Sequence, residues 1–109
     1  MIEELVQKLT EHLYSGSKDF YYKGHRFEIK EYIYSNPVEF NKHTRISIKV
    51  PMYLSTNAYQ DIYSIMYENY PGMEKTEYFL RNEVCAKLAK EFVTVVLPKI
   101  DYEIEKRNS

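Results

Sequence analysis

Two stretches of the chain, 26–34 and 44–50, alternate apolar and polar residues. A period of two places successive side chains on opposite faces of a strand, so each stretch is expected to bury one face and expose the other. The expected core positions are the apolar ones, Phe27, Ile29, Ile33, Ile46, Ile48 and Val50. Lys23-Gly24 lies where a two-residue turn can fold a short strand, beginning near residue 18, back onto the longer one. The pattern predicts an antiparallel meander of three strands.

Helical spacing replaces this alternation on both sides of the strands. Residues 2–14 carry an apolar stripe, with acidic residues in the first turn and Gly16 just past the end, which predicts an amphipathic helix. A second helix is predicted from about residue 58 to 70, stopped by Pro71-Gly72. Its tyrosines form a stripe that could serve as a homodimer surface. The candidate dimer residues are Tyr63, Tyr67 and Tyr70.

A third and longer helix is predicted from about residue 75 to 97. Its apolar arc is wide enough to contact two neighbouring elements and contains Tyr78, Val84, Cys85, Leu88, Ala89, Phe92, Val95 and Val96. Pro98 is expected to kink or end this helix, and the tail at 99–105 fits either a further helix or a short strand. The expected fold is an α+β domain over residues 1–109, with two later helices packed on one face of the sheet.

Composition restricts the class of protein. The 109 residues are 44% hydrophobic, 28% charged and 16% aromatic, which is typical of one compact domain. No apolar run approaches the ~20 residues that span a bilayer, and the N-terminal residues lack the apolar stretch of a signal peptide. The single cysteine cannot form an intramolecular disulfide, which favours a reducing, cytoplasmic location.

Few residues have the spacing of a known catalytic or metal site. His12, His25 and His43 show no metal-ligand spacing, and no glycine-rich phosphate-binding loop is present. Neither a metal ion nor another cofactor is therefore expected. Cys85 lies within the predicted apolar arc, so we expect a small core residue rather than a nucleophile.

One arrangement resembles that of metal-dependent nucleases, in which an Asp precedes an acid-x-Lys triplet on a neighbouring strand. Here these residues are Asp19, Glu28 and Lys30. In such a nuclease two carboxylates hold Mg²⁺ and the lysine stabilises charge at the scissile phosphate. A composition this rich in acids and lysines also yields acid-x-Lys triplets by chance, so a Mg²⁺-dependent nuclease is an alternative function.

Positive charge is concentrated in the strand region. Residues 18–49 sum to +3, whereas residues 1–17 and 50–109 each sum to −2. The alternation places basic and aromatic side chains together on the face away from the core, namely Arg26, Lys30, Tyr32, Tyr34, Arg45 and Lys49. Tyr and Arg are frequent anchors of protein interfaces, and the same residue types stack on bases and contact phosphates.

The predicted function is therefore that of a small, non-enzymatic interaction protein whose partner is a protein. Nucleic acid bound by the same face is an alternative, and an ordinary solvated sheet face is the structural explanation of the same pattern. A composition rich in Lys, Asn, Ile, Phe and Tyr indicates AT-rich coding DNA. Such a chain would suit an accessory or inhibitor protein of a virus or mobile element.

Overall fold

The computed structural model describes residues 2–36, 38, 41–54, 62–69 and 77–108. A four-stranded antiparallel sheet, in the order β1-β2-β3-β4, is covered on one face by helices. The elements along the chain are helix α1 (Ile2–Ser15), strands β1 (Asp19–Tyr22), β2 (His25–Asn36) and β3 (Asn41–Lys49), a 3-10 turn (Met52–Leu54), strand β4 (Ile62–Asn69), helix α2 (Glu77–Glu91), a π-helical turn (Phe92–Val96) and helix α3 (Leu97–Asn108). The predicted α+β class, N-terminal helix, antiparallel meander and long C-terminal helical segment are confirmed.

Two tight turns connect the first three elements, as the sequence predicts. Gly16 has φ of +76°, and the amides of Gly16 and Ser17 donate to the carbonyls of Leu13 and His12, which is a Schellman motif ending α1. The β1–β2 turn has positive φ at both Lys23 and Gly24. Positive φ at both central residues gives a type I′ turn, whose twist matches that of paired strands. These turns set β1 beside β2 directly after α1.

The helix predicted at 58–70 is wrong where the structure describes this segment. Residues 62–69 form strand β4, which pairs with β3 in a register that sets Ile65 opposite Ile46. The segment is rich in Ile and Tyr, which favour strands, and pairing also covers an edge of β3 that would otherwise be open. Tyr63 and Tyr67 therefore lie on a strand and do not form a helical dimer stripe. Tyr70, the predicted helix start at 58–61 and the Pro71-Gly72 stop lie outside the described residues.

The helices bury one face of the sheet, which we call the inner face. Its buried residues are Phe20, Phe27, Ile29, Ile46 and Ile48, which pack with Leu9, Leu13, Cys85, Leu88, Ala89, Phe92 and Val96 of the helical layer. The rings of Phe27 and Phe92 meet edge to face at 5.7 Å between centroids. Ile33 was expected in this core, but it is 62% exposed. It lies on the same face near the far end of β2, past the stretch that pairs with β1.

A π-helical turn makes the apolar arc of the long helix differ from the predicted one. Val93 and Val96 are buried, whereas Val95 is exposed, contrary to the prediction. The Leu97 amide donates to the Phe92 carbonyl five residues earlier, so the wider turn shifts which residues face the core. This wider turn directly precedes Pro98, whose ring would clash with a carbonyl in a regular α-helix. The chain continues as α3, so the tail whose structure the sequence left open is helical.

Arg81 of α2 joins three elements beneath the sheet. Its Nε and Nη2 atoms donate to the Tyr14 carbonyl at 3.0 and 2.9 Å, and Nη2 also donates to the Leu13 carbonyl at 3.1 Å. Carbonyls at a helix C-terminus lack partners within the helix, so these bonds satisfy the end of α1. Nη1 forms an ion pair with Glu31 of β2. The inner face is thereby fixed to both α1 and α2.

Candidate functional site

The face of the sheet opposite the helices, here the outer face, carries all six residues predicted to bind a partner. Strand register shows that they share it, because Tyr32 pairs with Arg45, Lys30 with Ser47, and Glu28 with Lys49. Residues opposite each other in an antiparallel pair point to the same face. The six side chains, all exposed, belong to Arg26, Lys30, Tyr32, Tyr34, Arg45 and Lys49. The predicted placement of these residues on one exposed face is therefore observed.

Two tyrosines form the aromatic part of this face. Tyr32 and Tyr34 are 43% and 51% exposed, and their rings lie 6.5 Å apart between centroids with an interplanar angle of 22°. They stand two residues apart on β2, which places both on the outer face. Side chains held beside each other in this way lose little further freedom when a partner covers them. The stack is a preformed apolar platform with two hydroxyl groups.

The positive charges around this platform divide into two groups. Arg26 forms an ion pair with Asp19, and Lys30 Nζ lies 3.2 Å from Glu28 Oε1. These carboxylates raise the pKa of Arg26 and of Lys30, in each case mainly through the hydrogen bond between the two side chains. All four side chains are partly exposed, so each ion pair contributes little to stability.

Arg45 and Lys49 behave differently. Within the described part of the chain, neither has a carboxylate at ion-pair distance. The two residues lie on β3, on either side of Ser47, which points to the same face. Ser47 between them is buried, and the charged side chains that the structure describes on this part of the outer face are both basic. The outer face therefore combines the stacked tyrosines, two cations that are paired with carboxylates, and two basic groups that are available to an acidic partner.

The three residues of the nuclease alternative also meet on the outer face. Asp19 pairs directly with Glu28 across β1 and β2, and Lys30 is the next outer-face residue along β2. The Asp19 carboxylate is paired with Arg26 and the Glu28 carboxylate with Lys30. No group of three or more metal-ligand side chains occurs among the residues that the structure describes. The geometry thus brings the three residues together, with each carboxylate already bound to a cation.

Two histidines and the cysteine, which the sequence offered as candidate ligands or nucleophile, have local structural roles. His12 Nδ1 lies 2.9 Å from the Lys8 carbonyl, and His25 Nδ1 lies 2.8 Å from Tyr53 Oη, so each of these two rings has its own local hydrogen-bond partner. Cys85 is buried in the core, as predicted. Burial raises the pKa of its thiol to about 11, which keeps the thiol protonated at neutral pH.

One residue of the outer face was missed by sequence reasoning. Tyr21 of β1 is exposed and pairs with Arg26, so it extends the face beyond β2 and β3. Phe20 beside it is buried, and the alternation of a strand then requires Tyr21 to point outward. That signal was available in the order Phe20-Tyr21, but a strand of four residues is too short for its register to be recognised from a pattern.

Comparisons with protein-family models, curated proteins and solved structures give no significant match to this chain. Within the described ranges, no helix combines the length and the apolar character needed to cross a membrane.

Proposed function

We propose that this chain is a binding protein whose outer sheet face docks on the surface of another protein. The observation that carries the proposal is the stack of Tyr32 on Tyr34, which is exposed and lies beside Arg45. Interfaces draw much of their affinity from a few aromatic and Arg anchors, and this face offers both residue types within one cross-strand neighbourhood. The proposed anchors are Tyr32, Tyr34 and Arg45.

The charges support a protein as the partner rather than nucleic acid. Among the described side chains of the outer face, the cations Arg26, Lys30, Arg45 and Lys49 stand against the carboxylates of Asp19 and Glu28. Two of the four cations are already neutralised, whereas binding to a phosphate backbone relies on many such contacts. The complementary partner surface has an apolar or aromatic centre flanked by carboxylates facing Arg45 and Lys49.

Site-specific photo-cross-linking tests the proposal. A photoreactive phenylalanine analogue replaces Tyr34 on the outer face or, as a matched control, Tyr102 on α3, which is 65% exposed. The variants are irradiated in an extract of the producing cell after nuclease treatment. We expect a defined protein adduct from position 34, distinct from a cross-link between two copies of this chain, that unlabelled wild-type chain suppresses, and none of that mass from position 102. The same adduct from both positions would overturn the proposal.

Nucleic acid is the second candidate, because a tyrosine stack can also support bases and Arg45 and Lys49 can contact phosphates. Labelled single- and double-stranded DNA and RNA are titrated at about 50 and 200 mM salt, with and without Mg²⁺. Binding through six phosphates would weaken by roughly 10³-fold over this range. Such a loss would favour nucleic acid over a protein partner, and Mg²⁺-dependent cleavage lost in both Glu28→Ala and Lys30→Ala would favour the nuclease.

A further inference from the structure

Strand β2 extends well past the strand beside it. The Ile29 amide donates to the Lys18 carbonyl at 2.8 Å, just before β1 begins at Asp19. β2 then continues to Asn36, and on this side of it no further strand lies among the described residues. Within the described part of the chain, the second half of β2, from Glu31 onward, therefore forms an edge of the sheet.

The direction of the backbone groups at this edge follows from the Ile29 bond. Successive residues of a strand direct their N–H and C=O groups to opposite edges, so residues 31, 33 and 35 direct theirs to the same side as Ile29. The even-numbered residues of β2 bond to β3 instead. Glu31, Ile33 and Ser35 thus present three donors and three acceptors in the geometry of a missing strand.

Over residues 31–35, this edge contains none of the lysines, prolines and bulges that commonly block strand addition. Edge strands are commonly protected by lysines, prolines or bulges, but the continuous register of β2 with β3 contains no bulge, and the edge residues are neutral except Glu31. Glu31 is held on the inner face by Arg81. A cleft of about 440 Å³ lies at the start of this edge, lined by Gly16, Ser17 and Lys18 on one side and by residues 28–32 of β2 on the other. A strand can therefore approach.

We infer that this edge pairs with the same edge of a second copy of the chain, antiparallel about a two-fold axis at Ile33. In that register Ile33 faces Ile33 of the second copy, Tyr32 faces its Tyr34, and Glu31 faces its Ser35. Every apolar or aromatic residue meets another, and no like charges oppose each other. Each copy contributes three N–H groups, so six backbone hydrogen bonds form. The exposed Ile33, which the fold leaves uncovered, becomes buried.

The choice of a second copy over a foreign peptide rests on this self-complementarity. A C2 interface requires one patch to complement itself, and residues 31–35 do so without opposing like charges. Lys18 occupies the position opposite Ile29, which limits the paired segment to Glu31–Ser35 and fixes the register. In the dimer the tyrosine pairs of the two outer faces adjoin in one cluster of four rings, two from each copy. The inference is independent of the identity of any partner bound by that face.

Sedimentation over a concentration series tests the dimer. We expect the wild-type chain to reach twice its 13.1 kDa mass as concentration rises. Ile33→Lys places two like charges across the axis, and we expect it to raise the dimer dissociation constant at least about tenfold. Tyr102→Lys, which adds the same charge at an equally exposed site, should leave the dissociation constant unchanged. A monomeric wild type, or equal effects of both substitutions, would overturn the inference.

Cysteine cross-linking tests the register. The only native cysteine is buried, so an introduced thiol on β2 reports on its own position. Facing Ile33 positions lie about 5.5 Å apart between Cα atoms, within the range of a disulfide. We expect Ile33→Cys to form a disulfide-linked dimer with an added oxidant such as diamide. Ser35→Cys should not, because its counterpart is displaced by four residues, at least about 13 Å. Equal cross-linking of both would overturn the register.

Discussion

Tyr22 Oη donates a hydrogen bond of 2.7 Å to Asp101 Oδ1 and so joins the first strand to the last helix. The same carboxylate oxygen accepts a hydrogen bond from Lys23 Nζ, also at 2.7 Å. Burial, followed by the hydrogen bond to Asp101, raises the pKa of Tyr22, and the Asp101 hydrogen bond raises the pKa of Lys23. The carboxylate therefore holds the β1–β2 turn against α3, at positions 79 residues apart in the sequence.

This cluster predicts a loss of stability in alkali. Because the folded pKa of Tyr22 lies above 10.0, its contribution is complete below pH 10 and is lost as the pH rises through the raised value. Lys23 acts with the same sign. Tyr22→Phe should cost about 1 kcal/mol at pH 8 and should flatten the decline above pH 10, measured as urea midpoints. Tyr102→Phe is the exposed control, and an equal flattening there would contradict the assignment.

The buried thiol predicts low reactivity. With its pKa raised to about 11 by burial, Cys85 has about 100-fold less thiolate at pH 8 than a thiol with the ordinary value of 9.0. The rate of reaction with an aromatic disulfide reagent should therefore be at least about 100-fold lower in the folded chain than in urea. A folded chain that reacts as fast as the unfolded one would place Cys85 outside the core.

The π-helical turn predicts opposite outcomes for two neighbouring valines. Val93 is buried and Val95 is exposed. Val93→Ala should lower the free energy of unfolding by about 2 kcal/mol, whereas Val95→Ala should change it by less than about 0.5 kcal/mol. Chemical denaturation of the two variants measures the difference. A larger effect at Val95 would favour a regular α-helix with the arc that the sequence predicts.

Arg81 predicts a requirement for the planar guanidinium. Arg81→Ala should destabilise the chain by about 3 kcal/mol, because two carbonyls at the end of α1 and the Glu31 carboxylate lose a partly buried donor. Arg81→Lys should recover little of this loss, since one ammonium cannot reach all three acceptors. Thermal unfolding distinguishes the variants. Full recovery in Arg81→Lys would show that charge alone matters at this position.

Local patterns in the sequence were sufficient for most of the fold. Alternation identified the strands around Phe27 and Ile48, and the Lys23-Gly24 turn and the helix stop at Gly16 are both where turn chemistry predicts them. Ile33 fits the same alternation yet is exposed, because a strand pattern does not show how far the covering layer extends. That extent depends on where β1 and the helices end in three dimensions.

Longer-range effects account for the errors. Residues 62–69 fit a helical stripe, but pairing with β3 and a high strand propensity prevail. The contact between Tyr22 and Asp101 and the role of Arg81 depend on tertiary placement that no spacing reveals. For the candidate site, alternation was enough to place the basic and aromatic residues on one face. It could not show that Asp19 and Glu28 neutralise half of the cations.

The most direct test of the central claim measures the affinity of the cross-linked partner for two double variants. Tyr32→Ala with Tyr34→Ala removes the stacked platform, whereas Val95→Ala with Tyr102→Ala removes two exposed apolar side chains of the helical layer, away from the outer face. Both pairs are on the surface, and circular dichroism confirms that each variant is folded. We predict that the first variant weakens binding at least about 30-fold, equivalent to about 2 kcal/mol, while the second changes it less than about threefold. Equal losses in both, or full binding by the first, would contradict the account.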